Sequence, residues 1–302
     1  MGTRTFLLVF SLSLYAAVGA AQTALPKAAT GPQSISIRMA DKPVLEYRFG
    51  NVPFKPYVEK LYTPAGINIL RDAPHDHLHH HALMFALGVN GVSYWAETPK
   101  DGKQAHREFL PAPTPQTVVA ERLDWVDPDG KTVLNETREI TLPPAPEGVT
   151  LLTWQSALSV PKGTGPTKLT GDHYYGLGMR FLVSMDKGGT FQNAAGIEGE
   201  LVRGDERLTR ATWCAYTADA DGKPVTVAMF DDPKNIRHPA WWFTMQTAFA
   251  YLSATMNLHR EPLEMLPGKP LPLRYGIAVW DGRQDKETIE NMYRKWLQLI
   301  NN

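Results

Sequence analysis

The sequence predicts an all-β fold, a large antiparallel β-sandwich with one C-terminal helix. From Ile35 onward, short runs of β-branched, aromatic and aliphatic residues are cut by Gly, Pro, Asn and Asp turns, the pattern of strands joined by tight connections. Only the last segment has a helical period. Ile289, Met292, Tyr293, Trp296 and Ile300 recur at spacings of three and four behind Asp285, a side chain suited to capping a helix. Hydrophobic residues form 43% and charged residues 21% of the 302, enough apolar surface for a full core without covalent staples.

The elements follow in order. Strands are expected at 35–39, 44–49, 80–89, 118–125, 132–141, 149–160, 209–216, 224–230, 250–257 and 271–280. Asp127-Pro128-Asp129-Gly130 reads as a hairpin turn in which Pro presets φ and Gly supplies a positive one. Asn90-Gly91 and Ala220-Asp221-Gly222 read the same way. The terminal helix should dock its apolar stripe on the sandwich. With no repeat, low-complexity tract or Gly/Ser linker, residues 30–302 are read as one domain.

Residues 1–21 have a secretory layout: Arg4, an apolar run from Phe6 to Val18, then small residues around Ala20 and Ala21. That run falls short of the roughly 20 residues a membrane-spanning helix needs. The expected product is therefore exported, periplasmic or secreted, with no membrane association after signal cleavage. Its 31 basic and 31 acidic residues balance, which argues against nucleic acid as a partner. Cys214 stands alone, so no internal disulfide can form, and a small buried core residue is its expected role.

The strongest chemical signal is Pro74-His75-Asp76-His77-Leu78-His79-His80-His81, with five of the nine histidines. On a strand, His75, His77, His79 and His81 would share one side. Neutral imidazoles can transfer protons or bond sugar hydroxyls, and His77 and His79 have a workable spacing for a divalent metal. A polar loop of mutually bonded histidines is the third use. Glu97, after Val92-Ser93-Tyr94-Trp95, is a candidate base. Asp172-His173-Tyr174-Tyr175-Gly176-Leu177-Gly178-Met179-Arg180 gathers an acid, an imidazole, phenols and a guanidinium. Arg237 to Phe243 and Asn257 to Pro262 add aromatic, imidazole and guanidinium groups suited to stacking on a sugar and bonding its hydroxyls. There is no Gly-x-Ser-x-Gly elbow, phosphate loop, dinucleotide fingerprint or His-Glu-x-x-His helix.

Tyr62 to Asp72, the cluster Asp76 to His81, Gly91 to Trp95, His173 to Phe181, Leu258 to Pro262 and Tyr275 to Gly282 together resemble a bacterial family of unknown function commonly labelled methane oxygenase PmoA. That family usually carries Gly where this chain has Ala82. Methane oxidation is not carried over, because the monooxygenase subunit of that name is an integral membrane protein. The resemblance implies a galactose mutarotase-like supersandwich in bacteria that degrade complex glycans, with a His acid and a Glu base around a sugar.

The leading expectation is a carbohydrate-active epimerase, lyase or hydrolase. Its acid-base groups would be His79, His80, His173 and Glu97, and its substrate-binding groups Arg71, Trp95, Tyr174, Arg180, His238 and Arg260. The alternatives are a non-catalytic carbohydrate-binding protein and a metal-dependent enzyme centred on His77 and His79.

Overall fold

The computed structural model describes residues 33–39, 42–111, 117–196 and 199–301. The expected signal segment and the start of the domain at residue 30 lie outside them. In chain order the strands are β1 Ser34–Met39, β2 Lys42–Arg48, β3 Tyr57–Leu61, β4 Leu83–Ala86, β5 Gly88–Val89, β6 Val92–Ser93, β7 Lys103–Phe109, β8 Val118–Val126, β9 Thr132–Thr141, β10 Val149–Ser159 and β11 Thr167–Thr170. They continue as β12 Gly176–Arg180, β13 Thr190–Asn193, β14 Glu200–Leu201, β15 Arg207–Arg210, β16 Trp213–Ala220, β17 Lys223–Asp231, β18 Trp241–Met245, β19 Tyr251–Thr255, β20 Leu263–Met265 and β21 Leu271–Asp281, before helix α1 Lys286–Asn301.

A nine-stranded sheet runs β1-β2-β3-β4-β12-β19-β18-β15-β14, an eight-stranded sheet runs β13-β16-β17-β21-β10-β9-β8-β7, and a small third sheet runs β20-β11-β5-β6. All named pairings are antiparallel. The expected sandwich with its terminal helix is thus the observed fold. Strand β21 shows why its sequence runs continuously apolar: Ile277 and Val279 join the main core, while Ala278 and Trp280 meet the helix on the opposite side. Asp285 caps that helix through the Thr288 amide at 2.8 Å. Ile289, Met292, Tyr293 and Trp296 are buried on Val149, Leu151, Trp213, Ala215, Ala228 and Phe230. The Trp296 indole also donates to Thr153 at 3.0 Å.

The turn readings hold. Asn90 and Gly91 have φ of 52° and 85°, and Asp221 and Gly222 have 50° and 81°. Positive φ at both central residues is the turn whose twist matches a hairpin. Two strand readings are corrected. The run 209–216 is divided at Ala211-Thr212, so β15 lies in the nine-stranded sheet and β16 in the eight-stranded one. The run 80–89 begins as strand only at Leu83, since Ala82 has a φ of 38° and turns the chain. Strand β12, with two glycines in five residues, was not expected because glycine lowers strand propensity. Cys214 is buried in the core, where burial pushes its thiol up.

Candidate functional site

The histidine cluster is a loop, so the grouping that a strand would have imposed on its imidazoles does not apply. His77 N–H donates to the Pro74 carbonyl and His80 N–H to the His77 carbonyl, both at 2.9 Å, giving two consecutive turns. The Ala73 amide bonds the His80 carbonyl at 3.0 Å, and an isolated bridge pairs Asp72 with His81. Ala73 and Ala82 flank the loop with φ of 39° and 38°, a left-handed geometry that strains a residue carrying a Cβ. Leu78 points to solvent at 66% exposure.

The turns divide the imidazoles into two sets. His77 stacks on His80 at 4.5 Å, and His79 meets His80 edge-on at 4.6 Å. Burial chiefly, with neighbouring His79, His77 and Arg180 adding to it, lowers His80 to about 2, so it is a neutral imidazole at working pH. His79 is lowered by burial and by Lys55.

His81 instead turns inward and stacks on Tyr57 at 4.4 Å. Its Nδ1 lies 2.8 Å from Asp72 and its Nε2 3.0 Å from Glu97. Glu97 meets the buried Lys55 ammonium at 2.5 Å. Burial opposes a charge on His81, but the Asp72 and Glu97 hydrogen bonds outweigh it and raise its pKa. Glu97 is the converse case: burial works against its ionisation, and His81 with Lys55 lowers it all the same. Asp72, His81, Glu97 and Lys55 therefore form a contiguous run of acidic and basic side chains, in which burial lowers Lys55 against the pull of Glu97.

Beside the loop, β12 and β19 supply the rest. Arg180 is the register partner of Tyr251, and Gly178 lies two residues before it, so all three occupy one side of the sheet. A Cβ at Gly178 would overlap the Tyr251 hydroxyl. The glycine that hid this strand from the sequence pattern is what lets the phenol cross. Rings then follow without a break: His80 to Trp95 at 6.2 Å, Trp95 to Tyr174 at 5.2 Å, and Tyr174 to His173 at 5.0 Å. Trp95 also stacks on Tyr175 at 5.1 Å. At the far end His173 Nδ1 lies 2.6 Å from Asp172, while its buried Nε2 has no hydrogen-bond partner and stands 4.0 Å from Glu206.

His79, His80, Trp95, Tyr174 and His173 are thus linked ring to ring, with Trp95 fully buried among them. Glu97 belongs to the His81 and Lys55 set, Arg180 is buried against the Phe249 ring, and Arg71 lies 3.9 Å from Asp186. Two expected binders lie apart from these contacts. His238 is held by Asp231 at 2.6 Å, and Arg260 pairs with Glu200 at 2.8 Å on the surface. The segment 237–243 is not the exposed aromatic patch expected of it, since Trp242 and Phe243 are buried. His77 and His79 sit edge-to-face at 5.8 Å, and among the described residues no group of three His, Cys, Asp or Glu side chains is placed to hold a metal. The sequence reading missed Lys55, Asp72, Phe249 and Tyr251. Asp72 ends a motif already singled out, whereas Lys55 and the two aromatics carry no local signal and converge only through the fold.

Several solved structures are similar to this one. The α-galactosidase AgaA from Geobacillus stearothermophilus matches at a TM-score of 0.47 and 10% identity, over 82% of this chain and 41% of the other. This chain therefore spans about two fifths of that enzyme's length. A candidate aldose 1-epimerase from Escherichia coli K12 matches at 0.46 and 9% identity, over 82% and 99%. A candidate mutarotase from Salmonella typhimurium matches at 0.39 and 10%, over 82% and 97%. No curated protein matches the sequence. The family model described as "Family of unknown function (DUF6807)" matches residues 34–294, and the chain belongs to that family.

Proposed function

We propose that the chain is an exported carbohydrate-active enzyme that moves protons on a bound sugar. One observation supports the reading: an unbroken run of adjoining rings links His79, through His80, Trp95 and Tyr174, to His173. At one end His79 is half-buried and lowered, with Lys55, His81 and Glu97 in its field. As a neutral imidazole it can accept a proton, and the Glu97 carboxylate favours the imidazolium that results. At the other end, Asp172 fixes the His173 ring and leaves Nε2 free, the arrangement by which a carboxylate orients an imidazole for donation or acceptance. Tyr174, partly exposed beside the fully buried Trp95, offers a ring face to a sugar's C–H groups.

Glu97 acts here as an electrostatic partner of His79, its carboxylate being held ionised by Lys55 and His81. His80, kept neutral, bonds hydroxyls. The expected export rests on the layout of residues 1–21. Epimerisation, elimination and hydrolysis all use an acid and a base on two sides of a sugar centre.

The test is incubation of the mature protein with a panel of mono- and oligosaccharides in heavy water, followed by NMR for deuterium incorporation, epimer formation or cleavage. His79→Ala and His173→Ala should each lower the rate by about 100-fold or more while sugar binding persists. Unchanged rates in both variants overturn the assignment. Saturable binding with no product from the unaltered protein identifies a binding module instead.

A further inference from the structure

Arg138 and Arg180 are both buried arginines, yet they are provided for differently. The Arg180 side chain is 1% exposed. Its only hydrogen bond among the described residues runs from Nη2 to Asp76 at 3.3 Å, and Nε and Nη1 have no acceptor. A guanidinium does not shed its proton in proteins, so these donors cannot be silenced by titration. Phe249 lies against the guanidinium, 3.4 Å from its carbon to the ring centroid, and closes that side to water.

The neighbouring unpartnered groups also offer hydrogens. Trp95 Nε1 has no partner, the buried Tyr251 hydroxyl has beside it Ser253, whose own hydrogen goes to the Tyr174 carbonyl, and burial holds Tyr251 firmly in its phenol form. His80 Nδ1, a donor or an acceptor according to tautomer, is likewise without a partner. The rings bearing these atoms adjoin one another, with His80 to Tyr251 at 5.6 Å and Trp95 to Tyr251 at 6.0 Å. Among the described residues, a second guanidinium, Arg71, has Asp186 as its ion-pair partner, at 3.9 Å.

We propose that the sugar taken by this site carries an anionic substituent, a carboxylate or a sulfate ester, received by Arg180 with Arg71, Tyr251 and Trp95. The proposal rests on the reading of this face as a sugar site and names its substrate class. The opposing charges fit it. Asp186 is engaged by the Ala250 amide at 2.8 Å, whereas Asp76 is 36% exposed on the loop. An incoming anion therefore displaces Asp76 into water and takes its place on Arg180, and the charge of the site is preserved. Two or three oxygens on one substituent would meet donors that Asp76 reaches singly.

Calorimetry with methyl glucuronide, methyl glucoside and a sulfated methyl glucoside at low salt tests this without requiring turnover. The unaltered protein should bind at least one anionic sugar about tenfold more tightly than the neutral one, and added salt should narrow the gap. Arg180→Gln should abolish the preference, and Tyr251→Phe should reduce it while leaving the charge intact; thermal melts establish that both variants are folded. A preference for only one of the two anionic sugars identifies the substituent. Equal affinity for charged and neutral sugars, a preference retained in Arg180→Gln, or no binding of either anionic sugar overturns the proposal. Selective binding without any product leaves this inference standing and removes the enzymatic one.

Discussion

Two buried guanidiniums of this protein, Arg138 and Arg180, have opposite surroundings. Arg138 lies between the two large sheets and is fully enclosed. Its Nε and Nη2 bond Glu136 at 2.9 and 3.0 Å, its Nη1 bonds Tyr47 at 3.2 Å and the Pro56 carbonyl at 3.0 Å, and its Nη2 also bonds Gln104 at 2.7 Å. All five donors are used. The acceptors are themselves tied in: Glu136 receives Ser156 and the Trp125 indole, and Glu121 receives Tyr47 and His106. Arg180 is just as deeply buried and uses one donor. Burial alone says nothing of purpose; a closed network fixes the register between sheets, and an open one waits for an oxygen that the chain does not supply.

The comparison breaks most visibly under mutation of each arginine. Arg138→Leu should lose about 3–5 kcal/mol in denaturant unfolding, because Glu136 is left buried and unpaired. Arg180→Gln should lose about 1 kcal/mol or less, since Asp76 can turn to water. Equal losses would erase the distinction between the two networks.

His80 and His81, adjacent in sequence, sharpen it further through pH. His80 is lowered to about 2, so below its ordinary value near 6.5 the unfolded chain binds the proton that the fold refuses. The stability deficit relative to His80→Gln should grow by about 1 kcal/mol per pH unit from pH 6.5 down to 5. His81 has the opposite sign, because Asp72 and Glu97 raise its pKa against burial. Its contribution is complete below about pH 6.5 and is lost as pH rises through the raised value, so the advantage of the unaltered protein over His81→Gln should shrink in alkali. Melting curves across pH 5–9 measure both, and parallel pH profiles for the two variants would contradict the division of the cluster into two sets.

The smallest expected effect concerns the loop ends. Ala73→Gly should gain about 1 kcal/mol by relieving a left-handed alanine. Ala82→Gly should gain less, because it also removes a buried methyl worth about 0.8 kcal/mol. Thermal shifts of a few degrees read either change.

The sandwich was legible because its signals are local. Turn dipeptides at Asn90-Gly91 and Asp221-Gly222 and the helical stripe from Ile289 to Ile300 each act over a few residues. Where one local rule met another, the reading failed. The run 209–216 looks continuous because a strand change between sheets leaves no compositional mark, and β12 hides behind two glycines, Gly178 required by the Tyr251 phenol and Gly176 by the Ala254 backbone. The site was legible as composition and opaque as geometry. His79, His80, His173, Glu97, Trp95 and Arg180 were all named from their chemistry, yet the period-two grouping of histidines gave way to two turns. Lys55 and Tyr251 come from distant strands or loops, where only tertiary pairing reveals a neighbour. His238 and Arg260 had suitable side chains but found carboxylates of their own.

The position of α1 in the chain has a consequence for how the molecule is made. Residues 286–301 leave the ribosome after the 21 strands of the described residues, so the side of the eight-stranded sheet bearing Trp213, Phe230 and Trp280 stays uncovered throughout synthesis of the strands. A nascent chain that reaches Asp281 and stalls presents a ready-made sticky surface. The sixteen residues of α1 therefore act as the step that covers this face of the sandwich.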